Sequence, residues 1–329
     1  MARIVRFHEY GDASVLKIEN LDVPPPNTDE VQIEVKSFGL NRAEVMFRTH
    51  AYLQEAEFPS RLGYEAAGIV KAVGTSATGF KKGDAVSLIP PTDIARWGTY
   101  GELANVPARN LVKHPENISF EQAAASWMQY VTGWGALIEQ AKLTAGDFVI
   151  VTAASSSVGI AAFQIAKAVG ATIIATTRTQ AKRQSLIEHA ADHVVVTDEE
   201  DLVAHVMELT SGVGARVVFD PVGGPSFIPL TESMARGGIL LEYGALSTEP
   251  TPFPLFTVLG KSLTLKGYLN GEITNNEAAL ERAKAFITMG LASGQLKPVI
   301  ARTFPLEQIQ EATRFLESNA QIGKVVVNV

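Results

Sequence analysis

The 329-residue chain contains no cysteine. That excludes disulfides and thiolate nucleophiles, and removes the commonest zinc ligand. Long apolar runs are missing too: none reaches the ~20 residues of a membrane-spanning helix, and the N-terminal MARIVRFHEY has no apolar signal core. Positive charge is scarce, with 28 Lys and Arg against 35 Asp and Glu for a formal charge of −7. A phosphate backbone needs a basic face, so nucleic acid is excluded as a main partner. A histidine metal pair is also wanting. His189 and His193 are four apart, but Asp192-His193-Val194 reads as the start of a strand, so the two share no helix face. What remains is an ordinary globule, 46% hydrophobic and 19% charged, long enough for two cores. Soluble, cytoplasmic and without a membrane partner is the expectation.

The most informative stretch runs from Phe148 to Arg183, FVIVTAASSSVGIAAFQIAKAVGATIIATTRTQAKR. Phe148 to Ala153 is a short apolar, β-rich run, as for a strand buried on both faces. Small residues, Ala154 to Gly159, then turn the chain into a helix, Ile160 to Val169, and a second strand follows at Thr172 to Thr177. The pattern predicts a βαβ unit whose helix N-terminus faces an anion, the usual seat of a dinucleotide pyrophosphate. The glycine fingerprint is degraded: Ala154, Ser156 and Gly159 stand where G-x-G-x-x-G has glycines. At the second strand's end an NAD-binding chain carries an acid for the ribose diol. Here the residues are Thr177-Arg178-Thr179, with Lys182 and Arg183 behind them. A guanidinium binds a 2′-phosphate that an acid would repel, so NADPH is expected over NADH. The alternative is a solvated basic helix start.

The first ~120 residues read differently. Short runs (Ala2 to Phe7, Val31 to Phe38, Gly68 to Val73, Ala85 to Ile89) are separated by Pro- and Gly-rich turns, which predicts a β-rich, barrel-like domain. Phe120 to Ala136 reads as one long apolar-periodic helix. Strands near Val194 to Val196, Val217 to Phe219 and Ile239 to Leu241, the last closed by Tyr243-Gly244-Ala245, alternate with helices and predict a doubly wound parallel sheet. Later come a strand at Leu263 to Leu269, a helix at Asn276 to Ala292, a strand at Val299 to Phe304, a helix at Leu306 to Ser318 and a last strand at Lys324 to Val329. By sequence order these strands have no partners in that sheet, so the tail should return and complete the first domain. The apolar, β-prone segment Pro254 to Leu269 should lie at the sheet's far edge, where an exposed edge invites a second copy. Glu199, Glu200 and Asp201 read as a solvated helix start.

With these pieces placed, the chain resembles the medium-chain dehydrogenase/reductase superfamily, and within it the zinc-independent, zeta-crystallin-like quinone oxidoreductases. The resemblance covers nearly the whole chain: GDASVL from Gly11, Asn41 in GLNRAEVMFR, GYEAAGIV from Gly63, GFKKGDAV from Gly79, SFEQAA from Ser119, Thr132-Gly133 and Gly323-Lys324. It implies an α/β fold in which a Rossmann sheet (123–265) is inserted in a GroES-like catalytic domain (1–122 and 266–329), with the site in the cleft between them. It also implies a homodimer joined through the Rossmann sheets. Zinc-dependent relatives place Cys where this chain has Asn41, His where it has Tyr64, and a third ligand near Met128, so no metal is expected. Quinone-reductase relatives carry A-x-x-G-G-V-G where this chain reads Ala153 to Gly159, and Tyr where Met46 stands.

Residue by residue, the pattern and the resemblance assign NADPH to Asn41, Thr132, Ser156, Ser157, Val158, Thr177, Arg178, Lys182, Tyr243, Gly244, Leu269 and Lys324. Asn41 falls where the family aims an amide at the nicotinamide ribose and the substrate oxygen; the alternative is an asparagine satisfying local backbone. Tyr52 is the candidate proton donor, since enoyl-reductase cousins have a tyrosine here; the alternative is a tyrosine packing at the cleft mouth. Glu65 reads as structural. Without a Lewis acid the acceptor must be electrophilic through conjugation, so the implied reaction is hydride transfer to quinones or α,β-unsaturated carbonyls. An enoyl-thioester reductase and a non-catalytic NADPH-binding protein are the alternatives.

Overall fold

Apolar runs without alternation belong in the middle of a parallel sheet, and Phe148–Val151 takes that place in the computed structural model, which describes residues 1–329. The sheet has six strands in the order His193–Val196, Thr172–Thr177, Phe148–Val151, Ala215–Asp220, Met234–Glu242, Thr264–Gly267, all parallel. Strand order reverses at Phe148–Val151, the arrangement of a doubly wound nucleotide-binding fold, in which ligands bind beyond the carboxyl ends of the strands. The helix after the first strand is Ser157–Val169, three residues longer at its start than expected because Ser156 caps it, accepting from Gly159 N–H at 3.0 Å. It buries Ile160, Phe163 and Ile165 and stops at Gly170, whose φ of 81° is the left-handed cap glycine supplies without strain. These elements lie in a unit spanning Thr132–Glu272.

The other unit comprises Met1–Val131 and Ile273–Val329. Its main sheet runs Ile300–Pro305, Lys324–Asn328, Glu30–Leu40, Glu65–Val73, Ala85–Leu88, Leu111–Lys113, with Leu103–Pro107 also paired to Glu30–Leu40. All its pairings are antiparallel except the one between the two C-terminal strands. The long strand Glu30–Leu40 buries Val31, Ile33, Val35, Phe38 and Leu40 in a core with Phe47, Val86, Leu111 and Val325.

Four expectations need correcting. Leu263 to Leu269 does have a partner in the parallel sheet: Thr264–Gly267 pairs with Ile239–Glu242 as its sixth strand. Pro254 to Leu269 is not β throughout, because Leu255–Lys261 is a helix that carries the chain across to that edge. Phe120 to Ala136 is not one helix. Phe120–Ala124 stops where Ser126 Oγ bonds back to Gln122 C=O at 2.6 Å, and a new helix starts at Trp127. The unit boundaries fall at 131/132 and 272/273 rather than 122/123 and 265/266. Residues 123–131 stay with the first unit because Trp127 Nε1 donates to Ser87 Oγ at 2.8 Å and Met128 N–H to Glu65 at 3.0 Å.

Candidate active site

In the first unit the strand Glu30–Leu40 delivers the chain to Asn41, which starts the helix Arg42–Arg48. Glu44, three residues on, accepts from the Asn41 N–H, closing a capping box. Antiparallel register sets Val325 opposite Leu40, which brings Lys324 beside Asn41. The Lys324 ammonium, 1% exposed, lies 2.6 Å from Asn41 Oδ1 and 2.5 Å from Glu65 Oε1. Asn41 Nδ2 lies 3.2 Å from Glu44 and 3.3 Å from Glu65. Gly39 has no substitute here: a β-carbon would come within 2.7 Å of Glu65 Oε1 and 2.6 Å of the Ala124 carbonyl.

Glu65 thus pairs directly with the ammonium, while Glu44 feels it through space. Burial pushes Glu44 up to about 7 against the opposing pull of Lys324, Asn41 and the Tyr64 N–H, with Glu65 adding to the rise. Glu65 Oε2 accepts from Met128 N–H, so its two oxygens hold Lys324 and a helix start together, a structural role. Asn41 is engaged within its own unit. Its carbonyl meets the Lys324 ammonium, and its amide meets Glu44 and Glu65. Tyr52 is half-buried, its hydroxyl 3.0 Å from that of Tyr64, and the Tyr64 N–H donates to Glu44 at 3.0 Å. One carboxylate therefore ties the Asn41 group to the tyrosine pair.

In the second unit Ser156, Ser157 and Val158 form the half-buried first turn after Phe148–Val151. Ser156 has φ −68°, so serine costs nothing there; the left-handed φ, +43°, falls on Ala153. At Gly159 a β-carbon would lie 2.5 Å from the Ala154 carbonyl, which explains the one glycine the fingerprint keeps. Beyond the second strand, Arg183 is neutralised by Glu200, while Lys182 Nζ reaches Ser155 Oγ at 3.0 Å. Arg178 is exposed and its guanidinium pairs with no acid. Of the three cations expected there, Arg183 is held in an ion pair and Lys182 is engaged by Ser155, which leaves Arg178 as the exposed one. Burial first, then the nearby Arg178, lowers Lys182. Thr177 is half-buried and Thr132 buried.

Tyr243 stacks on Phe219 at a 4.0 Å centroid distance, and its buried hydroxyl has no well-formed partner, Ser156 being the polar group near it. Gly244 packs on Pro221, 2.8 Å from its carbonyl to where a β-carbon would be; Leu269 is 49% exposed. At the ends of neighbouring strands Glu242 lies beside Asp220, which accepts from Thr152 Oγ1 and the N–H groups of Val222 and Gly223. Burial, then Asp220, pushes Glu242 up to about 9. No group of three His, Cys, Asp or Glu side chains is arranged to hold a metal ion. Sequence reasoning missed Glu44, which the acid three residues after Asn41 could have signalled; the Glu242–Asp220 pair and the Tyr52–Tyr64 contact left no such signal. Asp201 and Glu200 are a cap and an ion pair.

Residues 27–116 match the alcohol dehydrogenase GroES-like domain, and residues 157–285 the zinc-binding dehydrogenase domain. Quinone oxidoreductase 1 of Escherichia coli is 33% identical over 327 residues, 98% of each chain. The crystal structure of Escherichia coli quinone oxidoreductase complexed with NADPH superposes with a TM-score of 0.92 at 32% identity over all of both chains. A structure described as an NAD-dependent alcohol dehydrogenase gives 0.90 at 32% identity over 99% of each. With both domains matched in order and a relative one-third identical over almost its whole length, the chain belongs to the quinone oxidoreductase family of the medium-chain dehydrogenase/reductases.

Proposed function

We propose that the protein is an NADPH-dependent, zinc-independent reductase that transfers hydride to quinones or α,β-unsaturated carbonyls, and that it works as a homodimer. The observation that carries the reading is the buried Lys324 ammonium held between Asn41 and Glu65. Where zinc-dependent relatives place thiolate and imidazole, this chain has an amide, a phenol and a cation of its own, a donor set that suits no divalent metal.

The second unit fits a phosphorylated dinucleotide. Arg178 is an unpaired cation for a 2′-phosphate, Lys182 and Ser155 form a donor pair at the turn, Ser156 to Val158 open the helix, and Tyr243 has a buried hydroxyl in want of a partner. When bound, NADPH supplies the hydride. The chain's own groups do the rest. Hydride addition to a conjugated acceptor places negative charge on a distant oxygen, which a hydrogen-bond donor stabilises. Asn41, its amide committed within the unit, acts by holding Lys324 and Glu44 in place, and Tyr52 gives the proton.

NADPH absorbance followed with 9,10-phenanthrenequinone, a simple enone and crotonyl-CoA tests this. Turnover of quinone and enone is expected, unchanged by exhaustive chelation. Tyr52→Phe should lower enone turnover by about 10²–10⁴-fold, the span for a positioned general acid, and spare quinones, whose reduced oxygens solvent protonates. Turnover of crotonyl-CoA alone would favour the enoyl-thioester reading, and no turnover at all a binding protein.

A further inference from the structure

Tyr64 stands where metal-dependent relatives have histidine, and the reaction has so far given it no task. The residue is 5% exposed, and the chain on either side is pinned. Its own N–H is held by Glu44 at 3.0 Å, and Glu65 next to it is locked to Lys324. The preceding Gly63, at φ +123°, leaves 2.5 Å between a β-carbon position and Thr99 Oγ1. The hydroxyl of Tyr64 has one partner, Tyr52 Oη at 3.0 Å. A buried hydroxyl left without an acceptor costs about 1–3 kcal/mol, so the more deeply buried Tyr64 spends its proton on Tyr52. Tyr52, half-buried, then keeps its own proton for something other than Tyr64.

We propose that Tyr64 is a positioning residue: by donating to Tyr52 Oη it leaves the Tyr52 proton free for the reduced acceptor and stabilises the phenolate that remains. The inference rests on the reading of Tyr52 as proton donor. In enone reduction the hydride forms a C–H bond at the β-carbon while the C=C pair moves into an enolate. The α-carbon of the enolate then takes the Tyr52 proton. Tyr52 is left as a phenolate hydrogen-bonded by Tyr64, and solvent water returns its proton; Tyr64 gains and loses nothing. The direction of the bond agrees with the electrostatics. Burial raises both phenols; the shared hydrogen bond offsets the rise at Tyr52 and adds to it at Tyr64, and Glu44 raises both, with Asp93 a further small influence on Tyr64.

The experiment is Tyr64→Phe in the full chain with saturating NADPH. Enone kcat should fall about tenfold or more, the weight of a hydrogen bond to a charged oxygen, with KM and NADPH affinity unchanged and quinone turnover untouched. The solvent deuterium isotope effect on enone kcat should rise, and Tyr64→Phe should have no further effect in a Tyr52→Phe background. Independently of activity, the ¹³Cζ resonance of Tyr52, identified by its loss in Tyr52→Phe, should shift when Tyr64 becomes Phe. Difluorotyrosine in place of Tyr64 keeps the ring and strengthens the donor, so the kinetic readouts should move the opposite way. If Tyr52→Phe is impaired while Tyr64→Phe is not, the positioning role is wrong and the proton donor stands. If Tyr52→Phe turns over enones at the wild-type rate, both fall. Equal losses on quinone and enone with a lowered melting midpoint would make Tyr64 a packing residue only.

Discussion

Arg178 and Glu242 show how differently single charges behave in one unit. Arg178 is exposed and unpaired, so its worth depends on what is brought to it. A charge-assisted contact to phosphate contributes about 1.5–3 kcal/mol. Arg178→Ala should weaken NADPH binding about tenfold or more and leave NADH nearly unchanged, read by fluorescence titration of both cofactors; equal losses would remove Arg178 from the 2′-phosphate. Glu242 carries its cost within the fold. Its carboxyl rises from an ordinary 4.5 to about 9, through burial and then Asp220. The folded chain therefore holds a proton there that the unfolded chain has released, and stability falls as pH climbs through that window. Glu242→Gln stays neutral throughout, so its melting midpoint should fall less between pH 5 and pH 9 than the wild type's. Parallel curves would show that Glu242 titrates normally.

Among the elements, the strand Thr264–Gly267 is an open edge: Met234–Glu242 covers one side, and nothing within the sheet covers the other. Beside it in sequence, the helix Leu255–Lys261 and the residue before its cap expose Phe253 at 63%, Phe256 at 87% and Leu259 at 65%. An unpaired edge flanked by apolar side chains calls for a second copy. Light scattering coupled to size exclusion should give about twice 35.3 kDa, and Phe256→Glu with Leu259→Glu should lower it; a monomer at micromolar concentration refutes the homodimer. The sequence disclosed this edge but not its helix, because β-prone residues such as Phe256, Thr257 and Val258 follow Pro254, which fits a helix start equally well. Thr172–Thr177 was legible to the residue, since a buried strand between glycine and turn residues has no competing reading. Around Asn41 the sequence reading passed over Glu44, although an acid three residues after an asparagine is the spacing of a capping box. The Tyr52–Tyr64 and Glu242–Asp220 contacts are made by loops and strand order, which leave no period in the sequence.

At the level of the whole molecule, one unit is continuous in the chain and the other is not. Every strand of the parallel sheet lies between residues 148 and 267, whereas the antiparallel sheet needs Lys324–Asn328 between Glu30–Leu40 and Ile300–Pro305. A ribosome moving from the N-terminus at about 5–20 residues per second therefore exposes residues 1–131 for about 10–40 s before the strand that completes their sheet emerges. During that interval the edge at residues 37–40 is open, and the carboxyls of Glu44 and Glu65 wait without the Lys324 ammonium. The nucleotide-binding half has all its strands before then. Its fold is a local affair of synthesis, while the acid–amide–lysine group must wait for Lys324, so a half-made chain acquires its cofactor-binding sheet well before its candidate chemistry.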